Sequence, residues 1–136
     1  MLSRDDIVEL LSSRGVFPTP QRIEVACVIL SRPQHLSADQ VIAGIRASGS
    51  RVSKATVYNT LNLFCERGLL RTVEVDPTRQ FYDSTIETHH HFYNVDTGEL
   101  TDIPVDAVTL SVDTPLPPGT RQAGVDVVIR VRSERR

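Results

Sequence analysis

The chain is poor in the residues that would announce several common classes of protein. It has two cysteines, Cys27 and Cys65, and neither belongs to a Cys-x-x-Cys pair. That excludes a disulfide scaffold and argues against a thiolate zinc site built from this chain alone. Each cysteine falls inside a helical pattern and reads as a buried thiol. No apolar run approaches the roughly 18 to 20 residues that a membrane helix needs. Residues 1–11 carry Asp5, Asp6 and Glu9, unlike the basic-then-apolar start of a signal peptide. A cytoplasmic protein with no membrane partner is therefore expected. Over 136 residues, 40% hydrophobic and 24% charged content excludes wholesale disorder and a coiled coil, leaving one medium domain or two small ones.

The net charge of −2 conceals a split. Residues 1–72 hold nine Lys/Arg against six Asp/Glu, whereas residues 73–136 hold six against eleven. The first part, at +3, suits a polyanion; the second, at −5, suits cations.

Four short helices are predicted in the first part. Ser3 to Arg14 places Ile7, Leu10 and Leu11 at helical spacing and stops at Gly15. Thr19-Pro20 opens a second helix with a capping hydroxyl and a proline at the first helical position, and Ile23, Ala26, Ile29 and Leu30 follow before Pro33 ends it. Ser37-Ala38-Asp39-Gln40 is a capping box leading into Val41, Ile42 and Ile45, and the helix ends near Ser48-Gly49. Ser53 caps a fourth helix with Val57, Leu61 and Phe64 inward and Lys54, Tyr58, Asn59 and Asn62 outward. The period then changes: Leu70 to Val75 and Gln80 to Tyr82, around Asp76-Pro77-Thr78, read as a hairpin. Helices followed by a two-stranded wing make a winged helix-turn-helix. A second unit begins at His89. His89 to Val95 and Glu99 to Ile103 flank the turn Asp96-Thr97-Gly98, and Val125 to Val131 is a β-branched strand. Between them, residues 113–120 hold three prolines and a glycine and form a rigid loop. The tail from Arg130 to Arg136 is basic enough to fray in solvent.

Two constellations carry chemistry. On the fourth helix, Tyr58 can pack on thymine methyls, and Asn59 or Asn62 can pair with adenine. Lys54 or Arg51 can bind phosphate, Thr56 is a further DNA-binding candidate on the same helix, and Arg22, near the start of the second helix, and Arg14 are candidates for phosphate or minor-groove contact. A solvated polar helix face would show the same pattern. The second constellation is His89-His90-His91. On a strand, His89 and His91 share a face and His90 points away. Two imidazoles on one face begin a metal site for Fe, Mn, Co, Ni, Cu or Zn, and Asp83 and Asp102 are carboxylates placed to complete it. A surface histidine run is the bland alternative.

These residues resemble the ferric uptake regulator family. The match is carried by Ser53 to Phe64, by Thr19-Pro-Gln-Arg22, by Gln34-His-Leu-Ser-Ala-Asp-Gln40 and by His89-His-His91, in the family's order over nearly the whole chain. The resemblance implies an α+β fold: an N-terminal winged helix-turn-helix, then a small α/β dimerisation domain with an antiparallel sheet. Mapped here, these are residues 1–83, a hinge at 84–88, and residues 89–136. It implies a homodimeric repressor of iron, haem or peroxide-stress genes, bound to a pseudo-palindromic, AT-rich duplex. It also implies a regulatory metal site at His35, Asp83, His89, His91 and Asp102. The two aspartates resemble the peroxide-stress branch, in which Fe(II) or Mn(II) binds and iron-catalysed oxidation of a ligand histidine releases DNA. Zinc would be a competitor. Two departures matter. The family's structural zinc uses two Cys-x-x-Cys pairs; the first would fall at Asn94 and Thr97 and the second has no cysteine here, so no structural zinc held by four thiolates is expected. The long helix before the last strand is replaced by the proline-rich segment, which resembles the iron response regulators and leaves haem ligation by His89, His90 or His91 as an alternative. His-x-His with two aspartates also occurs in metal-dependent enzymes, but so short a second unit leaves little material for a pocket, and no enzyme is expected. Metal storage or carriage is a third reading, separated from the others by whether specific DNA binding exists.

Overall fold

The computed structural model describes residues 1–76, 78–85 and 89–134. Pro77 of the expected turn, residues 86–88 of the expected hinge, and Arg135 and Arg136 of the basic tail lie outside the described residues. The chain divides into two compact units, Met1–Ile86 and Glu87–Arg136.

In the first unit, each helix starts where a side chain satisfies orphan backbone donors. Helix α1 (Arg4–Ser13) opens on Ser3, whose hydroxyl accepts from the Asp6 N–H while the Asp6 carboxylate accepts from the Ser3 N–H. The bond from the Ser3 backbone, then that from its hydroxyl, holds the Asp6 carboxyl below its ordinary value. The helix stops at Gly15, whose φ of +72° few other residues adopt. Helix α2 (Pro20–Ile29) is capped by Thr19. Strand β1 (His35–Ser37) leads into α3 (Ala38–Ala47), whose Ser37–Gln40 capping box is fully formed. Helix α4 (Lys54–Glu66) is capped by Ser53. Ile7, Leu11, Ile29, Ile45, Leu61 and Phe64 are fully enclosed among these helices. Each such side chain contributes about 1.5 to 3 kcal/mol by leaving water.

The wing is larger than the expected hairpin. Strands β2 (Arg71–Asp76) and β3 (Arg79–Asp83) pair antiparallel as foreseen, and β1 adds to the other edge of β3 to give the order β1-β3-β2. Three residues that run straight into a capping box carry too little periodicity to be read as a strand. Their partner strand, more than forty residues away, determines their conformation.

The second unit is a three-stranded sheet in the order β5-β4-β6. Strand β4 (His90–Asn94) and β5 (Leu100–Ile103) form the expected antiparallel hairpin, with Gly98 at φ +77° in its turn. Strand β6 (Val128–Val131) joins the free edge of β4 in parallel, so the sheet is mixed. A parallel neighbour needs a long crossover; residues 104–127 supply it, with one 3-10 turn at Val105–Ala107. The expected strand from Val125 is shorter. The Val127 N–H is diverted to His90 Nδ1 at 3.1 Å, while the Val127 carbonyl accepts from the His91 N–H at 3.1 Å and opens the ladder to β4.

Candidate metal centre and nucleic-acid interface

Strand alternation sorts the three histidines. His91 and Asp102 are direct partners across β4 and β5, so their side chains share a face, and His89 lies two positions along on that same face. Asp102 Oδ1 stands 3.4 Å from His89 Nε2 and 3.3 Å from His91 Nε2. The two imidazole rings are 4.5 Å apart and tilted by 60°. Both histidines are buried, whereas the Asp102 side chain is half exposed. Metal–ligand bonds of about 2.1 Å put neighbouring donor atoms about 3.0 Å apart in an octahedron and about 3.4 Å apart in a tetrahedron. The observed separations fit a shared divalent ion, and the all-nitrogen-and-oxygen donor set lacks the thiolates that favour softer metals.

His90 is not part of this cluster. It faces the opposite side of the sheet, and its Nδ1 is an acceptor for the Val127 N–H, which fixes the proton of the neutral ring on Nε2. Its work is to tie β6 to β4.

His35 and Asp83 meet within the first unit as direct partners across β1 and β3. The His35 ring also packs edge-on to Phe81, with centroids 6.3 Å apart. Asp83 is 1% exposed, and its Oδ1 accepts from the Thr85 N–H at 2.8 Å. Burying a carboxylate is costly unless partners or a cation compensate it. Two residues to which the sequence assigned no role hold this corner. The Gln34 amide donates to the carbonyls of Val28 and Ile29, capping the end of α2. Gln34 and Ser84 bond reciprocally: the Ser84 N–H donates to the Gln34 carbonyl, and the Ser84 hydroxyl accepts from the Gln34 N–H, both at 2.9 Å. The signal available beforehand was their adjacency to His35 and Asp83, since ligand orientation is commonly set by the next shell of hydrogen bonds.

The outward face of α4 presents Lys54, Tyr58, Asn59 and Asn62 to solvent, while Val57, Thr60, Leu61 and Phe64 turn inward. Thr56 is half-buried, and its hydroxyl accepts from the Ser53 hydroxyl at 2.9 Å. An open groove of about 300 Å³ runs between α2 and α4, lined by Thr19, Gln21, Arg22, Thr56, Asn59, Thr60 and Leu63. Arg22 and Asn59 are thereby brought onto one surface; Thr19, read from the sequence as a helix cap, and Gln21 are additions to it. Arg51 is exposed ahead of the Ser53 cap. Arg14 sits at the ends of α1 and α4, where its guanidinium donates to the Gly68 carbonyl at 3.4 Å.

Where the resemblance would place the first thiolate pair, side-chain hydrogen bonds close the hairpin instead. Asn94 Oδ1 accepts from the N–H groups of Asp96 and Thr97 at 2.9 and 3.1 Å. Its amide donates to the Ser133 hydroxyl at 3.2 Å, and Asp96 accepts from the Ser133 N–H at 3.0 Å and pairs with Arg132 at 3.4 Å.

A winged helix with an exposed polar face, followed by a small sheet presenting an imidazole pair to a carboxylate, defines the class of metal-responsive DNA-binding regulators. Comparison with known proteins makes this specific: residues 13–113 match the ferric uptake regulator family, and the chain belongs to it. It is 31% identical over 102 residues to the ferric uptake regulation protein of Synechococcus elongatus, covering 72% of this chain and 69% of that one. It is 28% identical over 97 residues to the peroxide operon regulator of Bacillus subtilis, covering 71% and 67%. The fold superposes on the ferric uptake regulator from Pseudomonas aeruginosa, solved with manganese, with a TM-score of 0.68 at 23% identity over 93% of this chain and 97% of that one. Members of the family are dimeric, metal-responsive transcription regulators and not enzymes.

Proposed function

We propose that this chain is a cytoplasmic repressor of iron, haem or peroxide-stress genes that binds a pseudo-palindromic, AT-rich duplex as a homodimer and responds to Fe(II) or Mn(II). The observation that carries the metal reading is Asp102 Oδ1 facing His89 Nε2 and His91 Nε2 at 3.4 and 3.3 Å. His35 and Asp83, partners across β1 and β3, complete the ligand set from the winged-helix unit. When bound, the ion would supply the positive charge that balances the two aspartates, with the three imidazoles as nitrogen donors. The chain does the rest. The β3 register and the Gln34–Ser84 bonds keep His35 and Asp83 opposed, and the β4–β5 register keeps Asp102 before the histidine pair.

Ligands drawn from both units restrict how the winged helix can turn relative to the sheet unit. In a dimer this sets the separation of the two α4 helices, and half-sites about 34 Å apart accept a narrow range. A coupling of about 1 to 3 kcal/mol gives about 5- to 150-fold regulation. Zinc is expected to compete, following the affinity order of divalent ions. Arg22, Arg14, Arg51 and Lys54 serve phosphates, and Thr56, Tyr58, Asn59 and Asn62 face the groove.

Haem held between His89 and His91 is disfavoured by their geometry. Two axial imidazoles stand on opposite sides of the iron, whereas these rings lie 4.5 Å apart with both Nε2 atoms beside one carboxylate oxygen. The proposal is tested by whether duplex affinity of the intact protein depends on Mn(II): loss of affinity on chelation supports it, and indifference to metal contradicts it.

A further inference from the structure

The segment between α1 and α2 presents an aromatic ring to solvent. Phe17 is 75% exposed, although its neighbour Val16 is 2% exposed. This is no loose loop tip. The Phe17 carbonyl accepts from the Thr19 N–H and from the Arg22 guanidinium, both at 3.0 Å. The Val16 N–H donates to the Leu11 carbonyl at 2.9 Å, and Pro18 follows with its backbone rotation restricted. The ring is therefore held out by a clamped backbone. The residue that clamps it, Arg22, lines the groove between α2 and α4 together with Thr19, Thr56 and Asn59. Phe17 thus stands at the edge of the face that α4 offers to DNA.

A phenyl ring has no donor or acceptor, so it can neither read a base edge by hydrogen bonds nor bind a phosphate. Against a duplex it can pack on deoxyribose and on the faces of bases whose stacking has been opened, the way apolar side chains act in the minor groove. The groove beside it carries Thr19, Gln21, Arg22 and Asn59, and residues 1–72 hold nine Lys/Arg against six Asp/Glu, a charge that suits a nucleic acid. We propose that Phe17 is an apolar wedge that enters the minor groove beside each half-site, packs on the sugars and a partly opened base step, and bends the duplex there. Pyrimidine–purine steps open most easily, so the wedge adds a preference for such a step at a position α4 does not touch.

This inference rests on the DNA-binding reading and fails separately from it. The test uses the full chain with Mn(II), an AT-rich palindromic duplex labelled at both ends, and the variants Phe17→Ala, Phe17→Leu and Arg22→Ala. Binding is read across a salt series, and bending by energy transfer between the ends. Phe17→Ala should weaken binding about tenfold. It should also relax the bend and leave the salt slope unchanged, because the ring neutralises no phosphate. Phe17→Leu should retain most of both, and Arg22→Ala should lower the salt slope by about 1. Thermal melts confirm that the variants fold. Wild-type affinity in Phe17→Ala, or a bend that persists without the ring, overturns the wedge. Absence of duplex binding by the wild-type chain overturns the DNA reading itself.

Discussion

The Cys65 thiol is half-buried on α4, and burial, reinforced by the Glu66 carboxylate, raises its pKa above the ordinary thiol value. The reactive thiolate is correspondingly scarce near neutral pH. Cys65 in the folded protein should react with a disulfide reagent at mildly alkaline pH several-fold more slowly than in the urea-unfolded chain, measured in a Cys27→Ala background. Equal rates would contradict that. Among the histidines, alternation along the strand separated His90 from His89 and His91 using residue order alone. The bond from the Val127 N–H that gives His90 its own task was hidden, since it depends on a chain segment 37 residues away. Gln34 and Ser84 were illegible for the same reason: each is an ordinary polar residue until the β1–β3 pairing sets them side by side.

Helices were legible because their signals are local. Thr19, Ser37 and Ser53 each cap the helix that follows, as the sequence indicated, and Ser3 caps the first helix in the same way. Strands depended on partners, which is why β1 was missed and β6 overextended. Helix α4 divides its labour by face: Val57, Leu61 and Phe64 anchor it, and Tyr58, 42% exposed, is left over for function. Replacing Tyr58 with Ala should weaken binding to a specific duplex by about 5- to 150-fold, the range of one good groove contact. The melting temperature should stay within a few degrees of wild type, because the side chain is largely outside the core. Unchanged duplex affinity would remove α4 from the groove, and a large loss of stability would make Tyr58 a packing residue.

At the scale of the whole chain, the near-neutral net charge resolves into a basic first 72 residues, which form most of the winged helix, and an acidic remainder that carries four of the five proposed ligands. The sheet of the second unit has two unlike faces. One carries His91 and Asp102; the other carries Phe92 and Ile129, which are cross-strand partners and 39% and 41% exposed. An apolar sheet face of this kind suits a second copy of the chain, as in a twofold interface where one patch meets itself. Phe92→Asp should convert a dimer to a monomer in sedimentation velocity while the helical circular dichroism is kept; a dimer of unchanged stability would place the interface elsewhere. The central claim is that metal held by the histidine pair and its carboxylates controls DNA affinity. It is tested most directly by fluorescence anisotropy of an AT-rich palindromic duplex titrated with wild-type protein and with Asp102→Ala, each with Mn(II) and after chelation. Expected is at least about fivefold tighter binding of the wild type with Mn(II), a difference lost in Asp102→Ala. Equal affinity of the wild type in both conditions, or a metal effect that survives in Asp102→Ala, would contradict it.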